Sequence, residues 1–277
     1  MINIAGKTVV ITGGGGVLCG AMARHLATMG ASVAILNRTL SKAETVSNEI
    51  KSNGGSAIAI EVNVLDKKGL AQAHQKVNEA FGPCDILING AGGNHPDGTT
   101  GQSYFRASDL DDPNETTFFD LDPEGMKYVF DLNFIGSLLP SQIFARDMID
   151  RKGCSIINIS SMSAERAITK VPAYSAAKAG ISNFTQWLSV YFSKVGIRVN
   201  AMSPGFFITE QNRKLLTNED GSLTDRGQTI LNHTPMERFG EPEDLFSTLE
   251  WLCSDKSSFV TGVVVPIDGG FSAFGGV

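Results

Sequence analysis

The chain has 277 residues, of which 42% are hydrophobic and 19% are charged, so it can bury the core of one large globular domain. Its formal net charge of −6 and the lack of a Lys/Arg cluster argue against a nucleic-acid partner, because phosphate binding needs a basic surface. No apolar run reaches the roughly 18 residues of a membrane span. No signal peptide is evident at the start, and the cysteines (Cys19, Cys84, Cys154 and Cys253) form no closely spaced pair. We therefore expect a cytoplasmic protein with reduced cysteines, no metal, and neither a membrane nor a nucleic-acid partner.

Short β-rich apolar runs alternate with longer segments of helical period, a pattern typical of a parallel sheet covered on both faces. The predicted strands are Lys7–Thr12, Ser32–Asn37, Ala57–Val62, Asp85–Asn89, Ser155–Ser160, Arg198–Met202 and Val263–Ile267. The predicted helices are Val17–Met29, Ser41–Asn53, Lys67–Phe81, Pro123–Asp150, Ala173–Lys194 and Pro242–Cys253. This order predicts an α/β fold with a doubly wound, parallel, seven-stranded sheet in a single domain, residues 1–277. Its ligand crevice would lie beyond the carboxyl ends of the strands.

Two polar, turn-rich stretches break the alternation, residues 92–122 and 205–234. Both are too long for plain connections, and each follows a strand end, so each could overhang the crevice. They could instead be surface or subunit-contact loops. Because long loops at this edge of a sheet usually carry function, we predict that at least one forms a substrate lid.

A glycine-rich turn follows the first predicted strand and runs into a helix, in the order Thr12-Gly13-Gly14-Gly15-Gly16-Val17-Leu18-Cys19-Gly20. A pyrophosphate group needs backbone amides at close range and the positive end of a helix dipole, and side chains there would obstruct it. In this position the turn predicts a dinucleotide site. The residues expected to bind the cofactor here are Gly13, Gly15, Gly16, Val17 and Leu18.

The second predicted strand ends at Asn37-Arg38-Thr39, where many dinucleotide sites carry a carboxylate that holds the ribose and repels a 2′-phosphate. Asn37 is neutral and the Arg38 guanidinium can bind a phosphate, so this strand end favours NADP(H). Alternatively, Arg38 starts a solvated helix and NAD(H) binds through the backbone. Residues after the third and fourth strands are expected against the adenine and ribose, namely Asn63, Val64, Asn89, Gly90, Ala91 and Gly92.

Tyr174 and Lys178 are four residues apart, so on a helix they share one face. A free phenol, with a pKa near 10, is a poor base at neutral pH, and a fixed ammonium nearby lowers that pKa. An isolated pair of this kind can equally be a surface contact. Ser161 lies thirteen residues before Tyr174 at a predicted strand end, where its hydroxyl can hold a reacting oxygen, with Ser160 as the competing serine. Together these residues predict proton transfer coupled to hydride transfer.

These motifs, in this order and followed by Ser203-Pro204-Gly205, resemble the short-chain dehydrogenase/reductase family across nearly the whole chain. The resemblance implies a seven-stranded Rossmann fold, a homotetramer, no metal, and an oxidoreductase that uses NAD(P)(H). It implies that Ser161 positions the substrate oxygen and that Tyr174 transfers the proton. It also implies that Lys178 lowers the pKa of Tyr174 and binds the nicotinamide ribose.

The same resemblance implies that Asn133 supports a water relay behind the lysine and that Pro204, Gly205 and Thr209 line the nicotinamide. Three features depart from the family pattern. The glycine turn lacks the usual Gly-Ile-Gly, Asn63 stands where an aspartate is common, and Asn89-Gly90 replaces Asn-Asn. These departures affect cofactor contacts rather than the chemistry.

Within that family the chain is similar to the D-mannonate oxidoreductases, also called fructuronate reductases, in segments that lie largely in the two long loops. The segments are 92–96, 117–122, 169–174, 204–213 and 269–273. This similarity implies the interconversion of D-fructuronate and D-mannonate. A sugar acid needs a cation for its carboxylate and hydrogen-bonding groups for its hydroxyls. The loops offer Asn94, His95, Lys170, Gln211, Asn212 and Arg213.

Arg213 is the candidate carboxylate clamp, although it could instead pair with Glu210 or Glu219, and His95 could instead be a turn residue before Pro96. Two other readings stay open. One is a gluconate 5-dehydrogenase or another polyol or keto-acid reductase on the same scaffold. The other is a non-catalytic, cofactor-sensing protein, which the joint presence of the tyrosine and the lysine disfavours.

Overall fold

The seven predicted strands form one parallel sheet in the computed structural model, which describes residues 4–209 and 212–276. The strands are β1 (Thr8–Thr12), β2 (Ser32–Asn37), β3 (Ser56–Glu61), β4 (Ile86–Asn89), β5 (Ser155–Ile159), β6 (Arg198–Pro204) and β7 (Val264–Ile267). Their order across the sheet is β3-β2-β1-β4-β5-β6-β7, and every predicted strand lies within two residues of its observed bounds. The predicted α/β fold class is confirmed.

Helices cover both faces of this sheet. In the described residues they are α1 (Val17–Thr28), α2 (Leu40–Ser52), α3 (Lys67–Phe81), α4 (Pro123–Phe130), α5 (Gly136–Phe144), α6 (Pro172–Tyr191), α7 (Arg213–Leu216), α8 (Asp225–Asn232) and α9 (Phe246–Cys253). Alternate strand residues point to opposite faces. Val9 and Ile11 therefore join one buried cluster with α1, α2 and α9, while Val10 joins another with α3, α5 and α6.

The single long helix predicted over Pro123–Asp150 is broken. A π-helical turn, Asp131–Ile135, separates α4 from α5, and a 3-10 turn, Ala145–Met148, follows α5. The wider turn places the fully buried Asn133 so that its Nδ2 donates to Val129 O at 2.7 Å. Insertion of a side chain into the helical hydrogen-bond ladder is a common cause of such interruptions, and π turns often mark functional sites.

The second long loop contains two helices that the sequence pattern did not predict, α7 and α8. Both are short, at 4 and 8 residues, so they add little periodic signal to a polar segment. The first long loop consists of 3-10 turns at Pro96–Gly98, Ala107–Asp111 and Phe118–Asp120.

The strand order reverses between β1 and β4, because the chain continues from β1 toward β2 on one side of the sheet and from β4 toward β5 on the other. In a doubly wound sheet, such a switch point opens a crevice at the carboxyl ends of the strands. The glycine-rich turn after β1 and the loop after β4 therefore border the same crevice.

Candidate active site

The glycine turn and the loop after β4 are fixed to each other at the switch point. Thr12 Oγ1 accepts hydrogen bonds from Gly90 N at 3.1 Å and Ala91 N at 3.2 Å. Gly13 has φ +67°, and a Cβ there would lie 2.9 Å from Ala91 Cα. A residue with a side chain would strain this backbone and push the loops apart.

The start of α1 offers free backbone donors to the crevice. Gly16 caps the helix in an extended conformation, and no side chain of the described residues caps it. Val17, the first helical residue, is 39% exposed, whereas Leu18 packs against the core. At Gly15 a Cβ would lie 2.8 Å from Lys42 Cβ, so the turn runs close to α2. An exposed helix N-terminus behind glycines fits a pyrophosphate group.

The end of β2 carries a cation. The Asn37 Nδ2 donates to Thr39 O at 2.9 Å, which holds the turn, and Arg38 Nη1 donates to the Tyr128 hydroxyl at 3.3 Å. Arg38 lies on the surface beside this neutral strand end. These groups leave a 2′-phosphate without a carboxylate from the strand end to repel it.

Two residues expected at the adenine have other contacts. Asn63 Oδ1 accepts from Leu65 N at 3.0 Å, which forms a local turn. Val64 is buried and packs against α5, because a Cβ at Gly136 would lie 2.9 Å from its Cγ2. Contacts of Asn63 and Val64 with the cofactor stay predictions.

The Asn89 side chain lies inside the protein instead of in the crevice. It is 1% exposed, and its Nδ2 donates to Ser141 Oγ at 2.9 Å and Asn158 Oδ1 at 2.8 Å. Asn158 in turn donates to Thr185 Oγ1 at 2.9 Å. This network joins β4 and β5 to α5 and α6, so any contact between Asn89 and a cofactor would come from the Asn89 backbone.

Ser161 and Tyr174 are brought together at the carboxyl end of β5. Tyr174 lies in the first turn of α6, and the Ser161 hydroxyl is close enough to its phenol to lower the pKa of that phenol. Ser161 Oγ accepts from Ser163 Oγ at 3.0 Å. Ser160 is fixed elsewhere, since its hydroxyl donates to Lys178 O at 3.2 Å. As expected from the sequence, Ser160 belongs to the strand end.

Lys178 lies one turn further along α6, with its Nζ 5.5 Å from the centroid of the Tyr174 ring. Its Nζ donates to Ile159 O at 2.7 Å, and burial lowers its pKa to about 8. The pKa of Tyr174 is raised by burial, against the smaller lowering effect of the Ser161 hydroxyl. Before ligands bind, the environment of the phenol therefore favours its protonated form, contrary to the lowered pKa expected from the sequence.

Asn133 links the π-helical turn to the loop after β4. Its Nδ2 donates to Gly93 O at 2.7 Å, and its Oδ1 accepts from Gly93 N at 3.2 Å. A Cβ at Gly92 would lie 2.6 Å from Asn133 Oδ1 and 3.2 Å from Lys178 Nζ. Glycine at 92 therefore lets the asparagine, the lysine and the crevice backbone meet at one point.

The backbone after β6 closes the far side of the crevice. Gly205, which follows Pro204, donates its N–H to Ile267 O at 2.9 Å, and a Cβ there would lie 2.6 Å from Asp268 Cα. Thr209 N donates to Asn212 Oδ1 at 2.7 Å, and Asn212 Nδ2 donates to Phe207 O at 2.8 Å. The Asn212 side chain thus folds its own loop.

The remaining residues expected to bind substrate are dispersed. Asn94 Nδ2 donates to Thr99 Oγ1 at 2.8 Å, and the His95 ring packs edge-on against Tyr128 with centroids 5.3 Å apart. Lys170 is partly buried, with φ +77°, just before α6. Arg213 is exposed at the start of α7. Gln211 and Glu210 lie outside the described residues.

One partly buried cation, Arg226, was not predicted from the sequence. Arg226, in α8, donates from Nη1 to Thr169 Oγ1 at 3.1 Å and from Nη2 to Thr169 O at 3.4 Å. Its signal was weak, because α8 was not predicted and its partner lies 57 positions away. A Thr224 cap, which accepts from Gly227 N at 3.1 Å, was the available clue to the helix.

The described ranges contain neither a metal site nor a membrane-spanning helix. Over 4–209 and 212–276, no cluster of His, Cys, Asp and Glu side chains could hold a metal ion. None of the described helices is both long enough and apolar enough to cross a membrane.

Comparison with known proteins places this geometry in a family context. The sequence model of the short chain dehydrogenase family matches residues 7–220. An uncharacterised oxidoreductase of Bacillus subtilis, UxuB, is 53% identical over 277 residues, covering 99% of this chain and 98% of the relative. A solved Haemophilus influenzae structure with bound NAD, for which D-mannonate oxidoreductase is a suggested assignment, is 51% identical. Its TM-score is 0.95, over 99% of this chain and 98% of that one. The 5-keto-D-gluconate 5-reductase of Escherichia coli K12 is 29% identical over 272 residues, 98% of this chain and 97% of that protein.

Proposed function

This chain belongs to the short-chain dehydrogenase family and is an oxidoreductase of alcohols or ketones with a nicotinamide dinucleotide; we propose that its substrates are D-fructuronate and D-mannonate. The observation that carries the proposed chemistry is the meeting of Ser161, Tyr174, Lys178 and Asn133 at one end of the sheet, beside the glycine turn. The same set argues against a non-catalytic cofactor sensor, which has no need of a buried lysine under a phenol.

The choice of a sugar acid is supported by the suggested assignment of the Haemophilus influenzae neighbour. The long loops also carry amides and a cation, Asn94, Asn212 and Arg213, of the kinds that a polyhydroxy acid requires. A second candidate is the reduction of 5-keto-D-gluconate, favoured by the Escherichia coli reductase that matches over nearly the full chain. Both candidates are 5-keto acids of six carbons, so they differ in hydroxyl stereochemistry rather than in reaction type.

Each residue of the site has a separate role in the proposed reaction. A bound nicotinamide dinucleotide supplies hydride for reduction or accepts it for oxidation. Ser161 holds the substrate oxygen by a hydrogen bond, and Tyr174 gives its proton to that oxygen as the ketone is reduced. The Lys178 ammonium, 5.5 Å from the ring, then stabilises the phenolate that remains. Asn133 keeps the backbone of Gly93 in place beside the lysine.

For the cofactor, we propose a preference for NADP(H), carried by Arg38 at the end of β2. The bound NAD of the Haemophilus influenzae neighbour supports use of NAD(H) by that protein, so the preference is open to a direct measurement. The ratio of kcat/KM with NADPH to that with NADH should exceed one and fall about tenfold in Arg38→Ala. A strong NADH preference that Arg38→Ala leaves unchanged would remove the argument from Arg38.

We also propose a cytoplasmic homotetramer. Assembly is supported by the exposed apolar face of α6, where Trp187, Val190 and Tyr191 are 55%, 74% and 67% exposed. The cytoplasmic location is supported by the four free, buried cysteines. Light scattering of the purified protein should give four times 29.5 kDa. A monomeric mass at micromolar concentration would contradict it.

The substrate proposal is tested by following NADPH and NADH absorbance with D-fructuronate, 5-keto-D-gluconate and simple ketones. We expect the highest kcat/KM with D-fructuronate, and D-mannonate as the product by chromatography. Faster reduction of 5-keto-D-gluconate would select the second candidate, and no turnover of either acid would reject both.

A further inference from the structure

Arg226 is held at a junction of three segments that border the crevice. Its guanidinium donates to both the hydroxyl and the carbonyl oxygen of Thr169, at 3.1 and 3.4 Å. Thr169 Oγ1 also accepts from Ser103 Oγ at 3.4 Å. The first long loop, the second long loop and the approach to α6 therefore meet at one threonine.

The arginine is half-buried without a counter-ion among residues 4–209 and 212–276. Arg24, Arg151 and Arg238 each pair with a carboxylate. The buried Arg198 instead donates to two backbone carbonyls, Leu252 O and Ser254 O. Burial lowers the pKa of Arg226, and no neighbouring charge of the described residues raises it. A guanidinium has five N–H donors, and Thr169 occupies two of them. Three donors stay available to an anion.

The position of Thr169 in the chain limits how far this cation can lie from the reacting phenol. Thr169 and Tyr174 are five residues apart, so their backbones lie at most about 18 Å from each other even if the chain were extended. Between them, Lys170 takes a left-handed φ of +77° and its O accepts from Thr100 N at 3.0 Å, so the segment turns and is held. The side chains of Arg226 and Tyr174, with a six-carbon acid between them, are long enough to span such a distance.

We infer that Arg226 binds the carboxylate of the acidic substrate and so selects a sugar acid over the corresponding neutral sugar. This inference rests on the proposed function and deepens it. A planar guanidinium matches a carboxylate through two parallel hydrogen bonds, which fixes the orientation of the bound acid as well as its charge. Anchoring at Thr169 holds the fork in place before the substrate arrives, which lowers the entropy lost on binding.

Arg213, the clamp expected from the sequence, is a weaker choice on geometry. It is exposed at the start of the four-residue helix α7, where its backbone is hydrogen-bonded to Thr209 and Thr217. Its side chain makes no hydrogen bond or ion pair with the described residues. An exposed arginine that no neighbour holds loses more side-chain entropy for each hydrogen bond that it forms. Arg213 serves as the competing variant in the test.

The test compares an acid with its neutral counterpart. D-Fructose has a hydroxymethyl group in place of the carboxylate of D-fructuronate and is otherwise the same ketose. Steady-state kinetics with both compounds would be measured for the wild type, Arg226→Gln, Arg226→Lys, Arg213→Gln and the exposed control Lys214→Gln. Circular dichroism spectra and thermal melting would establish that each variant folds.

We expect Arg226→Gln to raise KM for D-fructuronate at least about tenfold, with kcat and the D-fructose constants within about threefold of wild type. Arg226→Lys should restore part of the loss, because it keeps the charge but not the fork. Lys214→Gln should match the wild type. Equal losses with acid and neutral sugar would assign Arg226 a purely structural role and overturn the inference. A selective KM effect in Arg213→Gln alone would overturn it as well.

The inference and the proposed function fail in different ways. If the wild type reduces D-fructuronate and Arg226→Gln has an unchanged KM, the inference falls and the proposed function stands. If the wild type turns over neither D-fructuronate nor 5-keto-D-gluconate, both fall. Should Arg226→Gln fail to fold, Thr169→Val replaces it. Loss of the anchor hydroxyl should raise KM for the acid but not for D-fructose, and an unchanged KM for the acid would reject the inference.

Discussion

Replacement of Lys178 by methionine is expected to stabilise the folded chain at neutral pH while abolishing turnover. Lys178 is 5% exposed, and burial lowers its pKa from an ordinary 10.5 to about 8. At pH 7.5 the folded state therefore holds an ammonium that burial disfavours by about 3 kcal/mol. Methionine removes the charge at similar length, but it also leaves Ile159 O without its 2.7 Å donor, which costs about 1–2 kcal/mol. The net gain is about 1–2 kcal/mol.

The pH dependence separates this explanation from ordinary packing. Between pH 8 and 10.5 the unfolded chain binds more protons at Lys178 than the folded chain, so the free energy of unfolding rises with pH. From pH 7.5 to 9.5 the two pKa values give a gain of about 2 kcal/mol that Lys178→Met lacks. Burial raises the pKa of Cys19 and Cys253 to about 12, which lowers stability at high pH. Both proteins carry these thiols, but the Lys178 charge also lowers the pKa of Cys19. The difference between the two proteins therefore measures the lysine together with its coupling to Cys19.

The assay is urea unfolding followed by circular dichroism at pH 7.5 and 9.5, without dinucleotide and at one protein concentration, since assembly makes stability concentration-dependent. Lys194→Met, at an exposed lysine, is the matched control and should follow the wild type at both pH values. If Lys178→Met kept the wild-type pH dependence, or unfolded more easily at pH 7.5, the account of a strained, buried ammonium would be refuted.

Three further changes test the rest of the site. Tyr174→Phe removes the proton donor and should lower kcat about 10²- to 10⁴-fold, while fluorescence titration finds dinucleotide binding unchanged; near-normal turnover would contradict the assigned role. Gly13→Ala adds a Cβ at φ +67°, 2.9 Å from Ala91 Cα, and should weaken dinucleotide binding about tenfold or more. Its control is Gly54→Ala, at φ +80° with no described atom within 4 Å of the added Cβ, which should leave binding unchanged. Asn133→Ala removes two 2.7 Å donor bonds from a fully buried side chain and should lower the free energy of unfolding by about 2–4 kcal/mol in urea; a loss below about 0.5 kcal/mol would contradict this structural account.

The sheet was predictable because its signals are local. Runs such as Val9-Val10-Ile11 combine β-branched residues with glycine at the run's end. A short run of this kind is enough to predict a fully buried parallel strand, without information from distant residues. The glycine turn was predictable for a similar reason, since one short segment carries both the backbone freedom and the helix start. Helix bounds were harder, and the break at Asp131–Ile135 depends on a side chain, Asn133, whose other partner is Gly93.

Side-chain orientation was the main limit at the crevice. Asn89 stands at a strand end, as a cofactor residue should, yet its amide points to Ser141 and Asn158 on other elements. The pKa of Tyr174 was expected to fall because Lys178 lies four residues away, but spacing on a helix carries no information about burial. In the structure burial has the larger effect on both groups and moves their pKa values in opposite directions.

Substrate-side contacts combine both difficulties. Thr169 contacts Ser103 and Arg226, which lie 66 and 57 positions away in the sequence. Neither contact joins two helices or strands, so no periodic sequence pattern could predict it. Loops fixed by such distant polar contacts can change their residues without disturbing the sheet, because the buried clusters lie on the strands and covering helices. Specificity can therefore vary within this family while the Ser161, Tyr174 and Lys178 geometry is kept. It follows that the residue that binds the substrate carboxylate is better identified by how the loops hold a cation in place, as they hold Arg226. Closeness to a recognisable motif, which Arg213 has, is a weaker guide.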